Sequence, residues 1–235
     1  MKQSDANQDL KQAVGVRAAG YVQQGQIVGL GTGSTAAFFV QELGRRQASE
    51  GLRITCVATS FSSSALARQC GLVVLPLESF DHIDISVDGA DEIDPTLNLI
   101  KGGGAAHTRE KLVHAMSSRF IVIADDSKRS SKLGEKFRVP VECIPSSVNF
   151  VQRRLLEMGA QCELRMARAG KDGPVVTDNG NLVVDITISI PDAIALEMEL
   201  NSIPGVLENG IFARNRPHLA LIAGASGIEE IPRRT

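Results

Sequence analysis

The run from Lys101 to Lys111 reads Lys-Gly-Gly-Gly-Ala-Ala-His-Thr-Arg-Glu-Lys and joins three kinds of group that can act together on an oxygen-rich anion. Consecutive glycines are costly to order, because glycine loses more conformational freedom on folding than any other residue. A ligand lying against bare backbone N–H groups explains why such a run is kept. Lys101 adds a fixed cation and Glu110 a carboxylate able to move protons. A second glycine loop, Gly29-Leu30-Gly31-Thr32-Gly33-Ser34-Thr35, offers N–H groups and the Ser34 and Thr35 hydroxyls for phosphate at a helix N-terminus. It also matches G-x-G-x-x-A, the dinucleotide fingerprint. That reading needs an acid about 20 residues on, at the end of the next strand, where this chain has Ala58-Thr59-Ser60. The Walker pattern fails too, because no Gly-Lys-Ser/Thr follows. A third segment, Asp88-Gly89-Ala90-Asp91-Glu92, clusters carboxylates that can accept sugar hydroxyls; its order is not that of a calcium loop.

His107, Glu110 and His114 share one helical face, which raises metal-assisted chemistry as an alternative. The H-E-x-x-H pattern is absent and no second ligand cluster is visible, so no metal is expected. His114 is expected to be a core-side or surface histidine.

The elements that carry these loops follow from hydrophobic periodicity. The spacing predicts helices over 9–23, 36–47, 62–70 and 105–118, and strands over 26–29, 52–58, 72–75, 83–87 and 120–124. Strands alternating with helices predict an open, largely parallel, Rossmann-like α/β sheet, with ligands outside the carboxyl ends of the strands. The three loops each follow a predicted strand. From about Pro140 the order becomes strand (139–144), helix (147–158), strand (161–166), strand (182–189), helix (192–201), strand (206–211), which is the ferredoxin-like α+β pattern. A last strand over 218–223 is expected to return to the first sheet. The predicted domains are therefore 1–137 plus 212–235, a Rossmann-like catalytic domain, and an inserted ferredoxin-like domain over 138–211.

Composition narrows the function. Of 235 residues, 43% are hydrophobic and 22% charged, the balance of an ordinary soluble domain. A net charge of −2 argues against general nucleic-acid binding, so any phosphate site is made by local geometry and a few placed cations. Aromatic residues are 4% with no tryptophan, which disfavours base-stacking platforms. No apolar run reaches the roughly 20 residues of a membrane helix. The polar N-terminus lacks a signal-peptide core, and about seven residues there are expected to be mobile. Cys56, Cys70, Cys143 and Cys162 show no CxxC spacing, and are expected to be reduced in a cytoplasmic protein.

GLGTGSTAAFF, VDGADEID and KGGGAAHTREK, in that order and spacing, resemble type A ribose-5-phosphate isomerase, as do VVTDNGN and IPGVLENGIFA downstream. The resemblance runs from about Leu10 to Gly224. It implies interconversion of D-ribose 5-phosphate and D-ribulose 5-phosphate in the non-oxidative pentose phosphate branch, without a cofactor, by a homodimer or homotetramer whose partner is a small sugar phosphate. It makes Glu110 the proton acceptor. The implied substrate-binding residues are Thr32, Gly33, Ser34 and Thr35; Asp88, Gly89, Ala90 and Asp91; Lys101, Gly102, Gly103 and Gly104; Lys128; and Lys11 near the phosphate. His107 departs from the apolar residue common in the family. The chemistry fits independently: Glu110 would carry a proton between C1 and C2 through a cis-enediolate, and Lys101 with the glycine N–H groups would hold the oxyanion. Asp88 would help open the sugar ring while Asp91 positions hydroxyls. The alternative is a sugar-phosphate-sensing domain without turnover, which would need neither Glu110 nor Lys101.

Overall fold

The structure, a computed structural model, describes residues 2–167 and 171–234. In chain order its elements are α1 (Lys2–Ala19), β1 (Ile27–Leu30), α2 (Ser34–Glu50), β2 (Thr55–Ala58), α3 (Phe61–Gln69), β3 (Val73–Val74), β4 (Ile83–Gly89), β5 (Glu92–Ile93), β6 (Leu99–Ile100), α4 (His107–Ala115) and β7 (Ser117–Asp125). There follow β8 (Val139–Cys143), α5 (Val148–Glu157), β9 (Gln161–Leu164), β10 (Leu182–Thr187), α6 (Ala193–Asn201), β11 (Val206–Asn209), β12 (Ile211–Phe212), β13 (Leu219–Gly224) and β14 (Gly227–Pro232).

The chain divides into two compact units, Met1–Ala90 with Arg109–Lys128 and Pro217–Thr235, and Asp91–Thr108 with Arg129–Arg216. The first carries a seven-stranded sheet in the order β14-β13-β7-β4-β1-β2-β3. Every neighbouring pair is parallel except β13 with β14. β1, β4, β7 and β13 are short apolar runs buried along most of their length, as expected of strands covered on both faces. Val14, Phe39 and Leu43 of α1 and α2 pack with Val28, Leu30, Ile85, Val87, Ile121 and Leu221 in one core cluster, while Val113 of α4 packs with Val57 and Ile83 in another. The strand order reverses between β1 and β4: β2 and β3 lie to one side of β1, and the later strands to the other. Such a switch point opens a crevice at the carboxyl ends of the two strands.

The second unit carries an antiparallel four-stranded sheet, β11-β8-β10-β9, with α5 and α6 as its crossovers. Numbered within the unit that order is 4-1-3-2, the ferredoxin-like arrangement the sequence predicts. Its core gathers Val141, Val184 and Ile186 from the sheet with Val151, Leu155 and Leu200 from the helices.

Several details differ from the sequence expectations. A three-stranded sheet, β12-β6-β5, also lies in the second unit. β6 pairs with β12, and Glu92 accepts from the backbone of 134–137, so 91–108, 129–137 and 212–216 fall in that unit, whereas the sequence expects all three stretches in the first. The strand expected over 206–211 is two strands, broken at Gly210, whose N–H donates to Pro140 O and whose carbonyl accepts from Lys101 N. The helix expected to reach 118 ends at Ala115, because Ser117 and Arg119 already pair with Ile83 and Ile85. Met1 lies outside the described residues, but 2–7, expected to be mobile, continue α1, with no glycine or proline before Gly15 to interrupt it. Among the described residues no helix is long and apolar enough to cross a membrane. All four cysteines are free, and burial pushes the Cys56 thiol up to about 12.

Candidate active site

In the first unit, three of the expected segments stand at the carboxyl ends of adjacent strands. β1 runs into the Gly31–Thr35 loop, β4 ends at Asp88 and Gly89, and β7 runs through Asp125 into the 3₁₀ turn Asp126–Lys128. Asp125 Oδ1 accepts from Ser127 N at 3.0 Å and from Ser127 Oγ, the local turn that leads to Lys128.

The loop after β1 is fastened on both sides. Thr32 N donates to Asp88 Oδ1 at 3.0 Å, and Gly89 N to the same oxygen at 2.7 Å. The Asp88 carboxylate fills the space a side chain at 31 would need: a Cβ there would stand 2.2 Å from Asp88 Oδ1, so only glycine fits. Thr32 Oγ1 lies 2.7 Å from Thr59 Oγ1 and 2.8 Å from Ser60 Oγ. Ser60 in turn caps α3 in a reciprocal capping box with Ser63. No motif marks a site residue in this stretch. Its signal was a run of hydroxyls, Thr59, Ser60, Ser62, Ser63 and Ser64, where the next parallel strand ends. α2 begins at Ser34 with its first N–H groups facing this loop and no side-chain cap at Gly33. Lys11 Nζ of α1 reaches Ser34 Oγ at 3.1 Å, so two residues expected around a phosphate meet. A cavity of about 310 Å³ adjoins the loop, lined by Gly31, Gly33, Ser34, Ala37, Ser62 and Ser63 among others.

Glu110 and His114 lie one turn apart on α4, and both are buried. His114 Nε2 is 3.1 Å from Asp88 Oδ2 and its Nδ1 is 3.0 Å from Ser86 Oγ. The imidazole stacks on Phe120, with centroids 3.9 Å apart and planes 7° from parallel. His114 is thus a core-side histidine, as the sequence suggests, but one tied to an expected site carboxylate. Among the described residues no group of three or more His, Cys, Asp or Glu side chains is arranged to hold a metal ion.

In the second unit the KGGG loop is pinned by other groups. Lys101 is 2% exposed, and its ammonium stands 5.6 Å from the centre of the Phe212 ring. Gly102 has φ 105°, and a Cβ there would meet His107 Nδ1 at 2.7 Å. Gly103 N donates to Asp91 Oδ2 at 2.7 Å. The carbonyls of Gly102 and Gly103 accept from Arg165 Nη1 at 2.8 and 3.3 Å, and Arg165 is itself paired with Asp185. Gly103 and Gly104 are exposed. Glu92, the last acid of the DGADE segment, is fully buried and accepts four backbone N–H groups, from Gly134, Glu135, Lys136 and Phe137, at 3.1–3.2 Å. Glu142 is also fully buried; it accepts from Thr108 near the start of α4 and from Thr177, Asn179 and Asn181. Burial alone would raise its carboxyl, but the four hydrogen bonds outweigh that and hold it below the usual carboxylate range. The VVTDNGN segment therefore serves to wrap this carboxylate.

The sequence family described as ribose 5-phosphate isomerase A (phosphoriboisomerase A) matches residues 55–227. The ribose-5-phosphate isomerase A of Thermosynechococcus vestitus is 51% identical over 210 residues, which span 88% of this chain and 89% of the relative. The structure of ribose 5-phosphate isomerase A from Methanocaldococcus jannaschii superposes with a TM-score of 0.93 at 46% identity, covering 96% of this chain and 99% of the other. A D-ribose-5-phosphate isomerase in complex with phospho-erythronic acid superposes equally well, TM-score 0.93 at 40% identity over 96% of this chain and 98% of that one. On this similarity, which extends over nearly the whole chain in both sequence and fold, the protein belongs to the ribose 5-phosphate isomerase A family.

Proposed function

We propose that this chain interconverts D-ribose 5-phosphate and D-ribulose 5-phosphate through a cis-enediolate. The observation that carries the reading is the pairing, at the β1–β4 switch point, of an anion-binding loop with a carboxylate: Lys11 on Ser34 at the start of α2, and Asp88 under the same loop. That arrangement suits a phosphorylated sugar. A relative binds phospho-erythronic acid, a sugar acid with a phosphate, which fits the same class of ligand.

In this reading Thr32, Gly33, Ser34 and Thr35, with Lys11 and Lys128, bind the phosphate far from the reacting carbons, and that remote binding orients the substrate. The aldose arrives as a furanose. Asp88 takes the anomeric hydroxyl proton, the C1–O4 bond breaks with its electron pair going to O4, water protonates O4, and the hydroxide so formed takes the proton back from Asp88. Glu110 then removes the C2 proton of the open chain and returns it to C1, while the O2 hydroxyl proton passes to O1 and the carbonyl moves to C2. Lys101 stabilises the enediolate oxygen. Because the Gly103 N–H is already held by Asp91, this task falls on the ammonium more than on that amide. Asp91 orients hydroxyls, alongside Gly89, Ala90, Gly102, Gly103 and Gly104 as binding backbone. A sensing domain without turnover would have no use for Glu110. The proposal includes a cytoplasmic enzyme that assembles as a homodimer or homotetramer, checked by light scattering.

Glu110→Gln keeps the side-chain size and removes the base. A positioned general base contributes roughly 10²–10⁴-fold, so kcat falls by that scale with KM nearly kept. Isomerisation in heavy water places deuterium at the carbon that receives the proton. An active Glu110→Gln enzyme giving unlabelled product overturns the enediolate route.

A further inference from the structure

We propose that His114 is a positioning residue for ring opening: its Nε2–H donates to Asp88 Oδ2 and fixes that carboxylate as the base for the anomeric hydroxyl. The inference rests on the isomerase reading above and adds to it a residue that no motif assigns.

The geometry supports it in four ways. Asp88 Oδ1 accepts two backbone N–H groups, from Thr32 and Gly89, so both oxygens must act as acceptors if the second also meets a donor. His114 Nε2 stands at 3.1 Å from that second oxygen, with both side chains fully buried, where an imidazole N–H is a strong partner for a carboxylate. The other ring nitrogen, Nδ1, is 3.0 Å from Ser86 Oγ, a hydroxyl that can donate to it and so place the imidazole proton on Nε2. Stacking on Phe120 fixes the plane of the ring. Carboxylate, imidazole and hydroxyl here have the composition of a nucleophilic triad, but the hydroxyl is the inner member. Ser86 lies two residues before Asp88 in β4, and its hydroxyl stands 3.0 Å from His114 Nδ1, so it is occupied in supporting the imidazole. Asp88 takes the C1 hydroxyl proton as the C1–O4 bond opens and water protonates O4, and the hydroxide so formed takes that proton back from Asp88.

The test exploits a difference between the two sugars. With its C5 oxygen esterified, the ketose cannot close a five-membered ring onto C2, so ribulose 5-phosphate is acyclic. Exchange of its C1 hydrogen with heavy water therefore reports on Glu110 without ring opening. In His114→Leu, turnover of ribose 5-phosphate falls about tenfold or more, the effect of losing one hydrogen bond to a charged group, while KM stays within about twofold. Deuterium exchange into ribulose 5-phosphate stays near wild type. His114→Gln, whose amide can reach the Nε2 position, restores most of the lost turnover. The proposal is overturned if His114→Leu turns over normally, if Gln does no better than Leu, or if exchange falls in step with turnover. Glu110→Gln loses both reactions; if it keeps both, the isomerase mechanism itself is at fault, not the role of His114. If His114→Leu does not fold, ¹⁵N-histidine NMR of the wild-type protein decides. A protonated Nε2 on His114, assigned by its absence in His114→Gln, supports the proposal, and a bare Nε2 overturns it.

Discussion

Glu92 and Glu142 are two fully buried carboxylates in the same unit, and replacing each by glutamine separates two kinds of hydrogen-bond donor. Glutamine keeps one oxygen and turns the other into NH₂. Glu92 Oε1 accepts from Glu135 N and Lys136 N, and Oε2 from Gly134 N and Phe137 N. Whichever way the amide is placed, two backbone N–H groups face an NH₂, and neither can turn away. Each buried donor left unsatisfied costs about 1–3 kcal/mol, so Glu92→Gln destabilises by about 2–6 kcal/mol. Glu142 differs. Its Oε1 accepts from Thr177, Asn179 and Asn181, and its Oε2 from the Thr108 hydroxyl alone. The amide oxygen can stay with the first three, and the Thr108 hydroxyl can rotate to accept from the new NH₂. No donor is orphaned. The lost charge assistance is partly offset by no longer burying a charge, leaving about 1–2 kcal/mol. Urea unfolding at neutral pH reads both values. A gap of about 2 kcal/mol corresponds to about 4–8 °C in Tm for a chain of this size. A Glu142→Gln protein as unstable as Glu92→Gln, or more so, refutes the distinction between fixed and rotatable donors.

Three further outcomes follow from the same geometry. Glu142 is held below its ordinary value of 4.5, so its contribution is complete above about pH 4.5 and is lost as pH falls through the lowered folded-state value; the stability difference between wild type and Glu142→Gln should shrink over that acid range in urea titrations. Gly31→Ala drives a Cβ to 2.2 Å from Asp88 Oδ1 and 2.4 Å from its Cγ, and should cost about 1–3 kcal/mol in thermal melts while lowering kcat, because the carboxylate it displaces is the proposed ring-opening base. Lys128→Ala should raise KM for ribose 5-phosphate with little change in kcat, and free ribose should be a very poor substrate for wild type; equal turnover of ribose and its phosphate ester refutes the phosphate assignment.

What the sequence made legible is what strand ends mark with distinctive residues. The Gly31–Thr35 loop and Asp88 stand out because a parallel strand ends on glycine or on an acid, and the fold then brings adjacent strand ends together without further information. The antiparallel order of the second unit is legible from its alternation of strands and helices. Short pairings such as β5 with β6 are not, because two-residue strands carry no periodicity. The roles of the acids were also hidden. Asp91 and Glu92 are neighbours of the same type, yet one holds Gly103 N and the other is enclosed by backbone donors some 42–45 residues away. His114 shares a helical face with Glu110, a spacing that fits a ligand, a core residue or a hydrogen-bonding partner equally well. Its partner Asp88 is 26 residues distant and comes within reach only because β4 lies beside α4's packing face in the first unit. What distinguishes a structural carboxylate from a chemical one is the set of groups that satisfy it. Glu92 has its oxygens filled by four rigid backbone donors, which leave no place for a substrate hydroxyl. Asp88 shares one oxygen with an imidazole instead of a second pair of backbone donors, and for that reason the ring-opening proton transfer is assigned to Asp88 and not to Glu92, while Glu110 keeps the transfer between C2 and C1.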